Sequence, residues 1–332
     1  MAIDFTKIPF NNIVKLGQKT MLDRDLFVVS WILGRFCNYS CSYCWPHGRS
    51  SKKDHRDVDL ILLTIDEIKR QSRQNGYNSF HFSFSGGEPT FHPNYNEIME
   101  YLVDDMPNCN YHSIHMTSNC SRKIKWFEEY CNIVSKFDRA SITASFHKEH
   151  VNTPEKVRDF GDKLLYCISR GIKVTINQVM VPQNWDALWE EAIAFEERGI
   201  HVTLKPQSVP DATRIVDGYT DDMLDKLHNS MKRDGLSVSL YDRDNNEWNI
   251  DQAERLNAFE FNKFQDWTCE SGYRSIIVRE PDGSIKRSYS CIDKPLGYID
   301  KGFELFTEPQ KCITPSCVSS ADSKIPKYVN AL

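Results

Sequence analysis

No stretch of this chain approaches the ~18 consecutive apolar residues that a membrane-spanning helix requires. Nor is there a surplus of positive charge: 41 Lys and Arg stand against 46 Asp and Glu, a formal net charge of -5. Nucleic-acid binders draw most of their affinity from neutralising phosphates, so this balance argues against a nucleic-acid partner. The first 24 residues lack a continuous apolar segment, because Asp, Asn, Lys and Arg interrupt them throughout. A secretory signal is therefore not expected. Repeats with a period of roughly 20–50 residues are missing as well. These absences leave a cytoplasmic globular protein as the expectation. Hydrophobic residues at 40% and charged residues at 26% fit that class. The 332 residues suffice for one large or two modest domains.

What the chain does have is cysteine, 11 in all. Structural disulfides are not expected in a cytosolic protein. Cys37, Cys41 and Cys44 cluster early, and Cys269, Cys291, Cys312 and Cys317 gather late. That distribution predicts metal ligation at both ends. Cys109, Cys120, Cys131 and Cys167 are scattered between them and read as small buried hydrophobes.

Leu26–Leu33 reads as a buried strand, followed by a turn-rich loop that holds the first three cysteines. Helical spacing over Val58–Gln74 stops near Asn75-Gly76. Further strands are expected at Ser79–Phe84, Tyr111–Thr117, Ala140–Phe146, Ile172–Val181 and His201–Lys205. Helices are expected between them at Tyr95–Val103, Lys123–Ser135, Pro154–Arg170 and Trp185–Arg198. The strands look largely apolar, as in a parallel sheet covered by helices. Repeated right-handed crossovers curl such a sheet into a full or partial barrel, with its chemistry at the C-terminal strand ends. The pattern changes after Pro206. Helix-like stretches follow around Asp221–Arg233 and Asp251–Phe264. Arg274–Arg279 and Ile285–Ser290 then form a hairpin about the turn Pro281-Asp282-Gly283-Ser284. The expected organisation is an N-terminal extension (1–24), an α/β partial barrel of six strand–helix units (25–215), a helical connector (216–264), a small hairpin-containing unit (265–320) and a tail (321–332).

Cys37, Cys41 and Cys44 place three thiolates within eight positions. Two metal readings fit. A structural zinc site needs a fourth ligand, which His47 could supply. A four-iron cluster with three protein ligands leaves one iron open to a small molecule. The second motif is Ser85-Gly86-Gly87-Glu88-Pro89, at the end of the next strand. Alone it is a turn; at the same end of the sheet as the triad, it turns the reading toward iron and sulfur.

Together these residues resemble the radical S-adenosylmethionine (SAM) enzymes, from Cys37–Cys44 through Gly86–Glu88 and along the strand order to residue 205. Tyr43 fills the aromatic position before the last cysteine. The resemblance implies a (β/α)6 partial barrel and a [4Fe-4S] cluster whose open iron is chelated by SAM. It further implies one-electron cleavage of SAM to a 5′-deoxyadenosyl radical that abstracts a substrate hydrogen. An external flavodoxin- or ferredoxin-like reductant is expected as partner. Gly86, Gly87 and Glu88 are expected at the methionine end of SAM, where the absent Cβ atoms leave room. Ser118-Asn119-Cys120 stands where the family usually has Thr-Asn-Gly, which puts the turn geometry at Cys120 in question. Ser145 resembles the ribose-contacting serine. Arg158 is a candidate for the methionine carboxylate, and equally a surface arginine. Asn177 is a candidate for ribose or carboxylate, and otherwise a core amide.

Cys269, Cys291, Cys312 and Cys317 suit either a zinc ribbon or an iron–sulfur cluster. With Glu270-Ser271-Gly272, the Pro-Asp-Gly turn and Leu296-Gly297-Tyr298-Ile299, they resemble the twitch or SPASM extension of radical SAM enzymes. Four cysteines suffice for one auxiliary [4Fe-4S] cluster with no open iron. The resemblance implies a part in electron transfer, during oxidation or epimerisation of a small polar, sugar- or alcohol-like substrate. Cys120 is a candidate hydrogen donor in such an epimerase, and otherwise a packing residue. A second reading is modification of a ribosomally made peptide, but the ~25 residues before the first strand are too few for the peptide-binding domain many such enzymes carry. A third is a zinc-stapled binding module without activity. Arg49, Lys52, Lys53, His55 and Arg56 form a basic run after the cysteine loop. It reads as a solvated face, or as a contact for an acidic or phosphorylated substrate.

Overall fold

Most strands between residues 26 and 206 share one pattern over much of their length: apolar residues alternate with Ser, Thr, His or Asn. Ser79–Ser85 reads SFHFSFS and Arg139–Phe146 reads RASITASF. A pleated strand sends alternate side chains to opposite faces. In the computed structural model Phe80, Phe82 and Phe84 are fully buried, whereas His81, Ser83 and Ser85 are half-buried. The sheet therefore has an apolar face under helices and an opposite face lined by small polar groups.

The structure describes residues 7–44, 49–53, 55–209, 214–229, 237–250, 256 and 260–329. It begins with β1 (Ile13–Gln18) and α1 (Lys19–Asp23). Strands and helices then alternate: β2 (Leu26–Ile32), α2 (Val58–Gln74), β3 (Ser79–Ser85), α3 (Tyr95–Asp104), β4 (Tyr111–Ser118) and α4 (Ile124–Val134). The alternation continues through β5 (Arg139–Phe146), α5 (Pro154–Ser169), β6 (Lys173–Met180), α6 (Trp185–Glu197), β7 (His201–Pro206) and α7 (Asp221–Asn229). Short strands follow: β8 (Val238–Asp242), β9 (Glu247–Ile250), β10 (Thr268–Cys269), β11 (Ser275–Arg279) and β12 (Ser284–Lys286). The last elements are β13 (Gly297–Tyr298), β14 (Gly302–Phe303), β15 (Gln310–Lys311), α8 (Ser320–Ser323) and β16 (Lys327–Tyr328).

Strands β2 to β7 pair in sequence order, all parallel. This is a mixed α/β fold consistent with a radical SAM partial barrel. Helix α2 shows why the local sequence folds as it does. Asp57 caps its start by accepting from Asp59 N–H, and Ile61, Ile65 and Ile68 form its buried stripe. Gly76, with φ of +87°, turns the chain out after it.

Two features depart from the expected organisation. First, the C-terminal hairpin continues the parallel sheet: β11 pairs parallel with β2, Ser275 opposite Val28. Arg274 anchors this junction. Its buried guanidinium donates to the carbonyls of Met21 and Arg24 and pairs with Glu270. Second, the N-terminal segment, the segment expected as a connector and the tail meet in another sheet, in the order β15-β10-β16-β1-β8-β9. The connector contributes the β8–β9 hairpin. The helix expected at Asp221–Arg233 appears as α7, and residues 230–233 lie outside the described residues. Most of the stretch 251–259 also lies outside them. Among the described residues, no helix is long and apolar enough to cross a membrane.

The two faces of β3 make a direct test. Phe82→Ala should cost about 3–5 kcal/mol in denaturant unfolding, the usual loss for a buried phenylalanine. Ser83→Ala, one residue on, should cost less than ~1 kcal/mol. Equal costs would contradict the face assignment.

Candidate active site and thiol clusters

The loop after β2 carries the early cysteines at the C-terminal edge of the parallel sheet. Its two ends are tied together: Cys37 N–H donates to Ser50 O at 3.1 Å, and Ser50 N–H to Arg35 O at 2.6 Å. Cys41 is buried, Cys37 half-buried and Cys44 exposed. Tyr39 N–H points at Cys37 Sγ, 3.4 Å away. Burial raises the Cys37 and Cys41 thiols above the ordinary range. Cys41 is pushed up to about 12, by burial first, then by Glu149 and the other two thiols. Three mutually repelling thiolates need positive charge between them, which iron supplies. No three of the seven early and late thiols lie within 4.8 Å of one another. Three thiols carried on one loop suit an iron–sulfur cluster with one open iron. His47 lies outside the described residues.

The turn after β3 closes on this loop. A Cβ at Gly86 would lie 2.6 Å from Gly34 O, and one at Gly87 only 2.2 Å from Phe36 O. The space left by these glycines is thus filled by the cysteine-loop backbone. Glu88 N–H then donates to Phe36 O at 2.6 Å. The Glu88 carboxylate is buried and accepts from Thr90 Oγ1 at 2.7 Å, Ser118 Oγ at 2.7 Å and Asn119 N–H at 2.6 Å. Burial raises its carboxyl above the usual range, against the pull of these donors. Glu88 therefore ties the ends of β3 and β4 together. Asn119 in turn sends its amide toward Asn38 Oδ1 at 3.0 Å and Cys37 Sγ at 3.9 Å.

Cys120 keeps the turn that a glycine would make: its φ is +52°, in the left-handed region. Its thiol is fully buried, approaches Ser118 O at 3.7 Å, and is pushed up to about 12 by burial and by Glu88. Ser145 and Asn177 face each other in register across β5 and β6, both on the half-buried polar face. Arg158 is exposed on α5 and acts on Glu155. Tyr43 bonds His147 Nδ1 at 2.9 Å. The structure thus brings Cys37, Gly86–Glu88, Ser118 and Asn119 together, and leaves Arg158 outside that group. A cavity of about 390 Å³ lies beside them, lined by Asn38, Tyr39, Cys120, Ser121, His150 and Lys163.

The late thiols also gather. Cys269, Cys312 and Cys317 are buried in the core of the second sheet, and Cys291 acts electrostatically on both Cys312 and Cys317. Ser288 Oγ donates to Cys291 Sγ at 3.1 Å. Lys327 is buried beside them, its ammonium held by the carbonyls of Asp322 and Ile325. Burial works against that charge, but Cys269, Cys317 and Asp322 outweigh it and raise the ammonium above the usual lysine range.

Several site residues escaped the sequence reading. The segment His147–His150 after β5 grips the cysteine loop. Glu280, after β11, accepts from Arg56 N–H at 2.9 Å. It also lies near His55 and His92, the three within 4.8 Å of one another. Asn94 N–H donates to His92 Nδ1, so the ring proton sits on Nε2, facing Glu280. That contact, at 3.5 Å, lies beside Arg56. Of the basic run, Arg49, Lys52 and Lys53 stay exposed, while His55 and Arg56 turn inward. The available signal was position: each of these groups follows a strand end.

Residues 31–195 match the model of the Radical SAM superfamily. That stretch is a radical SAM domain. Over 290 residues it is 24% identical to the S-adenosylmethionine-dependent nucleotide dehydratase RSAD2 of Oncorhynchus mykiss, covering 82% of this chain and 68% of that protein. It is 27% identical over 184 residues to the RSAD2 of Siniperca chuatsi, covering 50% of this chain and 46% of that one. Among solved structures, native anSMEcpe with bound AdoMet shares the fold, with a TM-score of 0.53 and 17% identity over 82% of this chain and 78% of that one.

Gly87→Ala should displace the cysteine loop and lower the iron taken up by the triad on anaerobic reconstitution. Gly171→Ala, where a Cβ meets no atom within 4 Å, should leave iron content unchanged. Iron and acid-labile sulfide analysis reads both.

Proposed function

We propose that this chain is a radical SAM enzyme acting on a small polar, sugar-containing molecule, with a nucleotide as the form its relatives' names suggest. The convergence of Cys37, the Gly86–Glu88 turn and Asn119 at the ends of three adjacent strands carries this reading. When bound, SAM and a reduced cluster on Cys37, Cys41 and Cys44 supply a 5′-deoxyadenosyl radical by reductive cleavage.

The chain's own residues do the rest. The backbone around Gly86 and Gly87 presents polar groups to the methionine end of SAM, and Glu88 holds that turn against the Asn119 turn. Ser145 and Asn177 offer a hydroxyl and an amide for the ribose. Arg49, Lys52 and Lys53, exposed after the cysteine loop, suit a phosphate on the substrate. Cys120 is fully buried at the left-handed turn, and its part is to hold that turn.

Cys269, Cys291, Cys312 and Cys317 hold a second cluster, which favours an outcome in which the substrate radical loses an electron. Buried Lys327 supports this assignment: four thiolates around an iron–sulfur core leave net negative charge, which the ammonium offsets.

Anaerobically reconstituted protein should contain about eight irons per chain and no zinc. With reductant and SAM it should form 5′-deoxyadenosine, faster when nucleotides are added than with free sugars or peptides. Stoichiometric zinc without acid-labile sulfide would identify a zinc-stapled module and end the proposal. Lys52→Ala with Lys53→Ala should raise KM for a nucleotide several-fold and leave kcat intact, the mark of lost uniform binding. Unchanged KM would remove the phosphate contact.

A further inference from the structure

The cysteine loop is gripped from the side by one short segment. Phe146 ends β5, and the chain then makes a single turn, with His150 N–H and Val151 N–H both donating to His147 O. That turn sets two side chains against the loop on either side of Cys41. His150 Nε2 accepts Ser40 N–H at 3.1 Å, and its ring stacks on Tyr39 with centroids 4.1 Å apart. Glu149 accepts Ser42 N–H at 2.8 Å, and its other oxygen takes the Ser42 hydroxyl. The Tyr39–Ser40 and Cys41–Ser42 peptide groups, on either side of Cys41, are therefore both fixed by this segment. Cys41 Sγ, the Glu149 carboxylate and the His150 ring lie within 4.8 Å of one another.

Two consequences follow from elementary electrostatics. The Glu149 carboxylate is a full negative charge near a thiol that the triad uses as a ligand. Lys148, its neighbour, is engaged with Glu191 and does not pair with it. A nearby anion disfavours adding an electron to an already negative centre. Glu149 also occupies the Ser42 N–H, which is withheld from sulfur. Net charge and hydrogen bonds to sulfur are two of the levers that set iron–sulfur potentials. Both act here in the same direction, toward a lower potential and a stronger reductant.

We propose that Glu149 is a positioning residue that holds the cysteine loop and lowers the reduction potential of the cluster on Cys37, Cys41 and Cys44. This rests on the triad holding a cluster, which iron analysis of the same sample decides separately. His150 shares the positioning and carries no part of the potential effect.

The test is a redox titration of the reconstituted full-length protein, followed by the electron paramagnetic resonance signal of the reduced cluster, with iron content measured alongside. E149Q keeps an acceptor for Ser42 and removes the charge. It should bind wild-type iron and show a more positive midpoint potential, by an amount that shrinks as salt is raised. Glu149→Asp keeps the charge and should titrate like wild type. A wild-type potential in iron-loaded E149Q would overturn the proposal. If E149Q takes up no iron, Glu149→Ser, which keeps an acceptor and lacks the charge, decides in its place: a more positive midpoint supports the role of the charge, and a wild-type midpoint overturns it.

Discussion

The structure depends on one close approach. The turn after β3 lies directly on the backbone of the loop after β2, so close that a single added carbon at residue 87 would meet Phe36 O at 2.2 Å. Parallel pairing of β2 and β3, with Ile32 opposite Ser85, brings the two exits side by side. The glycines let them touch. From that contact the order spreads outward: Glu88 reaches β4 through Ser118 and Asn119, and Asn119 reaches back to Asn38 and Cys37. Three thiols on a surface loop would otherwise be free to separate, since in their ionised form they repel one another. The sheet supplies the rigidity that a cluster with only three protein ligands requires.

The polar face of the sheet gives this arrangement its working surface. Ser83, Thr117, Thr143, Ser145 and Asn177 stand at alternate positions along four strands and are half-buried. Small hydroxyl and amide groups suit a polar ligand and leave space for it. The same strands send Phe82, Met116, Ile142 and Ile176 into the helix-covered core. Rigid packing on one side therefore positions chemistry on the other. The late thiols obey a different constraint. They lie in a small separate core, with the buried ammonium of Lys327 on the strand beside them.

Much of this was legible in the sequence. The strand and helix spans of residues 26–206 agree with the structure to within a residue or two at most ends, because the periods are long and glycines or capping residues punctuate them. The position of the motifs at strand ends followed from that alternation. The parallel pairing of β11 with β2 was not legible, since it joins segments some 250 positions apart and is fixed by Arg274, whose role no local pattern reveals. The second sheet was hidden for a related reason: β10, β15 and β16 are two residues each and carry no periodicity. SFHFSFS announces a two-faced strand, which overall apolarity alone does not reveal. Glu149 and Lys327 look like ordinary surface charges in sequence, and become informative only beside thiols.

The central claim is that Cys37, Cys41 and Cys44 leave one iron of a four-iron cluster open for SAM. Mössbauer spectroscopy of protein reconstituted with 57Fe addresses it directly, with the late cysteines replaced so that a single cluster remains. The expected result is that SAM changes the parameters of one iron of about four and leaves the others alone. A spectrum indifferent to SAM, from protein with a full complement of iron and sulfide, would contradict the account.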